Sequence, residues 1–200
     1  MFRSGNLRTK TVLIAILALA ALGACSSLPP QPIYPEITYK HLPPYRMNAA
    51  RIEIVDNYVP PLTADHVEHL SPIAPAALLR RWAEDRFVAA GSSGVVRVII
   101  EDASIAEQVY RTNQELTDLV TTERAGLYTA RAAVRIQMLD DYGNSQAYVA
   151  AKAERSRTIP EGLTLREREE ILFQMTDDMV KDLNGTIEPR IGEYLSGYIL

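Results

Sequence analysis

From Gly126 the chain alternates between apolar and polar positions. Tyr128, Ala130, Ala132, Val134, Ile136 and Met138 hold one parity, while Thr129, Arg131, Arg135 and Gln137 fall on the other. A period of two is that of a strand with one buried face. Asp140 to Ser145 supplies turn residues that tolerate left-handed backbone. The pattern then returns, with Ala147, Val149, Ala151 and Ala153 on one parity and Lys152 and Glu154 on the other. Together these segments predict a long antiparallel hairpin closing near Thr158 and Pro160.

Helical spacing governs two other stretches. Leu78, Leu79, Trp82 and Arg86 recur at that period within Ser71–Ala90, where Pro72 and Pro75 suit a first turn and Gly91 a C-terminal cap. Trp82 sits inside the stripe and is read as a core anchor, with Phe87 at its edge. The second helix starts at the Thr164-x-x-Glu167 capping box and carries Ile171, Leu172, Met175, Met179, Leu183 and Ile187. The two methionines are read as core packing. Asn184-Gly185 and Pro189 are expected to break or kink this helix, leaving a last amphipathic piece with Ile191, Tyr194, Leu195 and Ile199. Ala50–Tyr58 reads as a first strand ended by Pro60-Pro61, and Val95–Ile100 as a second that can run on to Ile105. Residues 107–124 are polar and fit either a short helix or a loop.

The resulting order is strand, helix, strand, strand, strand, helix. It predicts an α+β fold, a small antiparallel sheet with two main helices packed on one face.

The first 49 residues follow different rules. Arg3, Arg8 and Lys10 precede an uncharged core from Val12 to Leu22, too short for a membrane-spanning helix, which needs about 20 apolar residues. This is the make-up of a secretory signal ending at Gly23 and Ala24. Removing residues 1–24 and their three basic side chains leaves 176 residues with 18 basic and 25 acidic groups, a net charge of −7. An acidic chain argues against nucleic acid as its main partner. Cys25 is the only cysteine, so no disulfide forms within the chain. Residues 25–49 hold six of the twelve prolines and read as an extended tether, with residues 50–200 as one folded domain. Tyr34, Tyr39 and Tyr45 are read as laying that tether on the domain.

Leu22-Gly23-Ala24-Cys25 resembles the lipobox of bacterial lipoproteins. The resemblance implies cleavage before Cys25, diacylglycerol on its thiol and an acyl chain such as palmitate on the new N-terminus. One acyl chain binds membranes only marginally, whereas two or more hold firmly. In that family an aspartate after the cysteine marks inner-membrane retention; Ser26 therefore implies the periplasmic face of the outer membrane.

Candidate chemistry changes this picture little. His66 and His69 have metal-like spacing but no third ligand in the pattern, and a solvated loop is the reading. Gly91-Ser92-Ser93-Gly94 lacks the lysine of a phosphate loop, and no Gly-x-Ser-x-Gly elbow occurs. No catalytic residue, metal or cofactor is expected. The element order behind a lipobox is similar to that of small envelope lipoproteins, including the auxiliary lipoproteins of ABC-type lipid transport. That resemblance implies a non-catalytic accessory binding module whose partner is an envelope protein or a lipid. A structural link between outer membrane and cell wall is the alternative. The candidate partner-binding residues are Arg131 and Arg135, which share a face and are read as same-face neighbours roughly 6–7 Å apart. Their forked donors suit carboxylates or lipid phosphates, and cross-strand pairing with Glu154 is the competing role.

Overall fold

The structure is a computed structural model that describes residues 34–110 and 125–200. In chain order the elements are β1 (Tyr45–Met47), β2 (Arg51–Asp56), α1 (Pro75–Arg86), β3 (Phe87–Ala89), β4 (Val95–Tyr110), β5 (Ala125–Leu139), β6 (Ser145–Pro160) and α2 (Leu165–Tyr194). A four-stranded sheet runs in the order β2-β4-β5-β6, and β1 pairs with β3 in a two-stranded sheet. The fold is α+β, as the sequence predicts. The main sheet is antiparallel except at β2, which lies parallel to β4 because α1 carries the chain back between them.

The alternating pattern of β5 buries its apolar parity in full, from Tyr128 to Met138. In α2 the stripe Leu172, Met175, Met179, Leu183, Ile187 and Ile191 is equally buried, so the methionines do pack the core. Alanines 130, 132 and 151 are buried with them, and their short side chains keep the sheet's inner surface shallow. The helices run side by side in one direction: Ser71 Oγ lies 3.2 Å from Thr176 Oγ1, Trp82 Nε1 donates to Asn184 Oδ1 at 2.9 Å, and Arg86 pairs with Glu188 at 3.2 Å. Trp82 is fully buried, edge-on to Phe87. Gly94 closes the approach to β4 at φ +74°, where an added Cβ would come within 2.7 Å of the Leu139 carbonyl oxygen.

Four expectations change. The first helix is shorter than Ser71–Ala90, because Ala74, preceding Pro75, is extended and Phe87–Ala89 leaves the helix to pair with β1. The second is not broken at Asn184-Gly185 or Pro189. It runs unbroken to Tyr194, Pro189 costing only the one bond that its missing N–H would give Gly185. β4 continues through residues 107–110, while 111–124 lie outside the described residues. Finally, among the described residues packing reaches back before Ala50. Tyr39 and Met47 are buried in the core, Arg86 donates to the Pro43 carbonyl, and its guanidinium lies 4.6 Å from the Tyr45 ring centre. The tyrosines at 34, 39 and 45 do lay this stretch on the domain. Cys25 lies outside the described residues.

Candidate functional site

The helices cover one face of the sheet, and the other face carries charge. Its arginines are matched strand by strand. Arg97 on β4 donates twice to Glu53 on β2, at 3.0 and 3.1 Å, and Arg51 joins the same carboxylate at 3.0 Å. These two partners hold the Glu53 carboxyl below the usual carboxylate range. Arg135 on β5 reaches Glu101 on β4 at 2.7 Å and lies over the Tyr148 ring. Arg131 reaches Glu154 on β6 at 2.9 Å. Half-exposed pairs of this kind contribute about 0.2–1 kcal/mol each.

Arg131 and Arg135 therefore do face outward together, but they are four residues apart on one strand, about 13 Å. The spacing of 6–7 Å read from the sequence belongs to residues two apart. Their guanidinium groups turn to opposite neighbours, Arg131 to Glu154 on β6 and Arg135 to Glu101 on β4. Each arginine already has an internal carboxylate, so a ligand must compete with it or bind the pair as a unit.

Between Arg131 and the end of β2 the face hollows into an open groove of about 820 Å³. A bulge between Ile100 and Asp102 shifts the register of β4 against β5 at this point. β2 stops at Asp56, and the chain returns to pair with β4 only at His66, opposite Ala106. The gap between these two pairings is the groove's mouth. Ser104 and Ala133 leave its floor low, while Glu101, Asp102, Glu154, Arg131 and Lys152 ring it with both signs of charge. Lys152, opposite Ala133 in the register, is exposed and has no ion-pair partner among the described residues.

Behind Tyr58 and His66, which line the groove, sits a buried acid. Glu68 accepts from the Tyr58 hydroxyl at 2.8 Å and from the Ile105 amide at 3.4 Å, and His66 Nδ1 lies 3.5 Å away. Burial, and then the bond to Glu68, push the Tyr58 hydroxyl well above its ordinary value. Further along the sheet Tyr128 donates to Glu107 at 2.6 Å; burial first and that bond second raise its hydroxyl to about 12. His69 is exposed and does not join His66. No cluster of three His, Cys, Asp or Glu able to hold a metal occurs among the described residues. The Glu68 contacts were hidden in the sequence, because only the long-range pairing of residues 65–67 with β4 brings this acid to Ile105. Arg131–Glu154 could be anticipated, since a hairpin register sets it directly.

No family model and no curated protein matches the chain. Among solved structures, a minor lipoprotein from Acinetobacter baumannii is similar at TM-score 0.36 and 15% identity, over 70% of this chain and 94% of that one. A neuraminyllactose-binding hemagglutinin homolog from Helicobacter pylori is similar at TM-score 0.31 and 10% identity, over 76% of this chain and 91% of that one. Neither likeness is close enough to carry an argument. No helix among the described residues is long and apolar enough to cross a membrane.

Proposed function

We propose that the protein is a non-catalytic lipoprotein of the outer membrane, anchored through Cys25, whose exposed sheet face binds an envelope partner in transport or assembly. The observation that carries the reading is the pairing of one cysteine, closing a signal-like segment, with a domain that is already packed at Tyr34, nine residues later. The open groove and its mixed-charge rim suit a partner that presents both signs of charge. Such a surface favours a protein segment over a simple anion, because Glu101, Asp102 and Glu154 stand among the cations.

Capture tests this. The lipidated protein, recovered with detergent from its own envelope, should bring down a specific membrane complex. The double variant Arg131→Glu with Arg135→Glu should bring down less of it. Sedimentation with peptidoglycan, unaffected by the double variant, would instead favour a wall-linking role.

A further inference from the structure

Tyr34 packs on α2 at Phe173, 4.9 Å between ring centres, and its hydroxyl reaches Glu169 at 3.3 Å. Both partners lie in the first third of that helix. α1 and α2 run in the same direction, so their starts mark one end of the domain. The end of β4, the start of β5 and the end of β6 meet there, as Tyr110 pairs with Ala125 and Ala125 with Pro160. The loop before His66 also belongs to this end, held to β4 at Ala106.

Exposed hydrophobic side chains differ between the two ends, all aliphatic at one and mostly tyrosine at the other. The Tyr34 end bears Val59 (79% exposed), Leu62 (90%), Val109 (55%) and Leu165 (67%). Leu62 is held at φ +56°, a backbone state that leucine rarely adopts. The opposite end presents Tyr142, Tyr148 and Tyr194, with Val88 and Leu200 as its aliphatic members. Four aliphatic side chains on protruding turns and element ends find no cover among the described residues.

We propose that the end bearing Val59, Leu62, Val109 and Leu165 rests on the surface of the lipid bilayer, held there by the short link from Cys25 to Tyr34. This rests on the lipid-anchor reading above. Eight residues, 26–33, separate the two positions, and at 3.3–3.6 Å per residue the link spans at most about 30 Å. The 30 residues of α2 make a rod about 45 Å long. The Tyr34 end is therefore the end kept near the bilayer, and the hairpin turn at Asp140–Ser145 points away from it. Near the start of α2, Arg166 and Arg168 alternate with Glu167, Glu169 and Glu170, so charge gives no net pull toward an anionic surface, the attraction is apolar and the fitting surface is zwitterionic.

The full-length lipidated chain, reconstituted into phosphatidylcholine vesicles with nitroxide-labelled acyl chains, tests this. Single cysteines replacing Leu62, Leu165, Tyr142 or Tyr194 would each carry a bimane fluorophore. The proposal expects several-fold stronger quenching at 62 and 165 than at 142 and 194, unchanged by added salt. Leu165→Cys reports even if Leu62→Cys disturbs its strained turn. Equal quenching at all four sites, or none at 62 and 165, would overturn the proposal while leaving the anchor in place. The parent protein separates the two readings, because a lipidated Cys25 thiol takes up no bimane. Labelling of the parent would overturn the anchor and the apposition together.

Discussion

Tyr34 packs on Phe173 with 4.9 Å between ring centres, so the first described residue is already held against the domain. A variant lacking residues 1–33 should therefore melt as the parent domain does. Removal through Met47 should lower stability by several kcal/mol, since Tyr39 and Met47 alone bury two large side chains at about 1.5–3 kcal/mol each. Thermal denaturation of the two truncations checks the boundary. Equal melting would return residues 34–47 to the tether.

Trp82 joins α1 to α2 by shape and by one buried hydrogen bond to Asn184. Trp82→Ala should cost about 3–5 kcal/mol. Trp82→Phe keeps much of the volume but leaves the Asn184 oxygen without its donor, a loss of about 1–3 kcal/mol. Urea unfolding followed by circular dichroism ranks the pair. An alanine variant as stable as the parent would place the ring outside the core.

The start of α2 should be acid-sensitive. Thr164 donates to the Glu167 carboxylate from its hydroxyl at 2.7 Å and from its amide at 2.8 Å, which holds the Glu167 carboxyl below its ordinary value. A carboxylate depressed on folding stabilises the fold above its unfolded pKa, and that stability is lost as pH falls through the folded pKa. Glu167→Gln should flatten this part of the stability–pH curve, and Thr164→Ala should cost about 0.5–2 kcal/mol near neutral pH. An unchanged acid limb in Glu167→Gln would remove the cap from the account.

Arg131→Glu with Arg135→Glu should leave circular dichroism intact, because both pairs are partly solvated and each is worth about 0.2–1 kcal/mol. Recovery of the partner should fall. Loss of fold in the double variant would make these pairs structural, and undiminished recovery would put the binding site elsewhere.

How much of this was legible in the sequence varies with range. The β5 alternation and the Thr164 capping box are local patterns, and both fold as read. Trp82 was identifiable as a core residue from its place in a stripe, but its bond to Asn184 spans 102 positions and leaves no local trace. Phe87–Ala89 could be mistaken for helix because its strand partner, β1, lies inside a proline-rich stretch. Pro189 reads as a breaker on propensity alone, yet the buried stripe on either side of it, Ile187 and Ile191, keeps the helix whole. Of the outer face, the hairpin neighbour Glu154 was readable, whereas Glu101 opposite Arg135 depends on the placement of β4. The groove exists only because β2 ends at Asp56 and the chain returns to β4 at His66.

The proposed role depends on the chain being lipid-anchored, and that is tested most directly at Cys25. Cells fed a clickable fatty acid and expressing the parent or Cys25→Ser should show label on the parent and none on the variant. Label that survives Cys25→Ser would contradict the account.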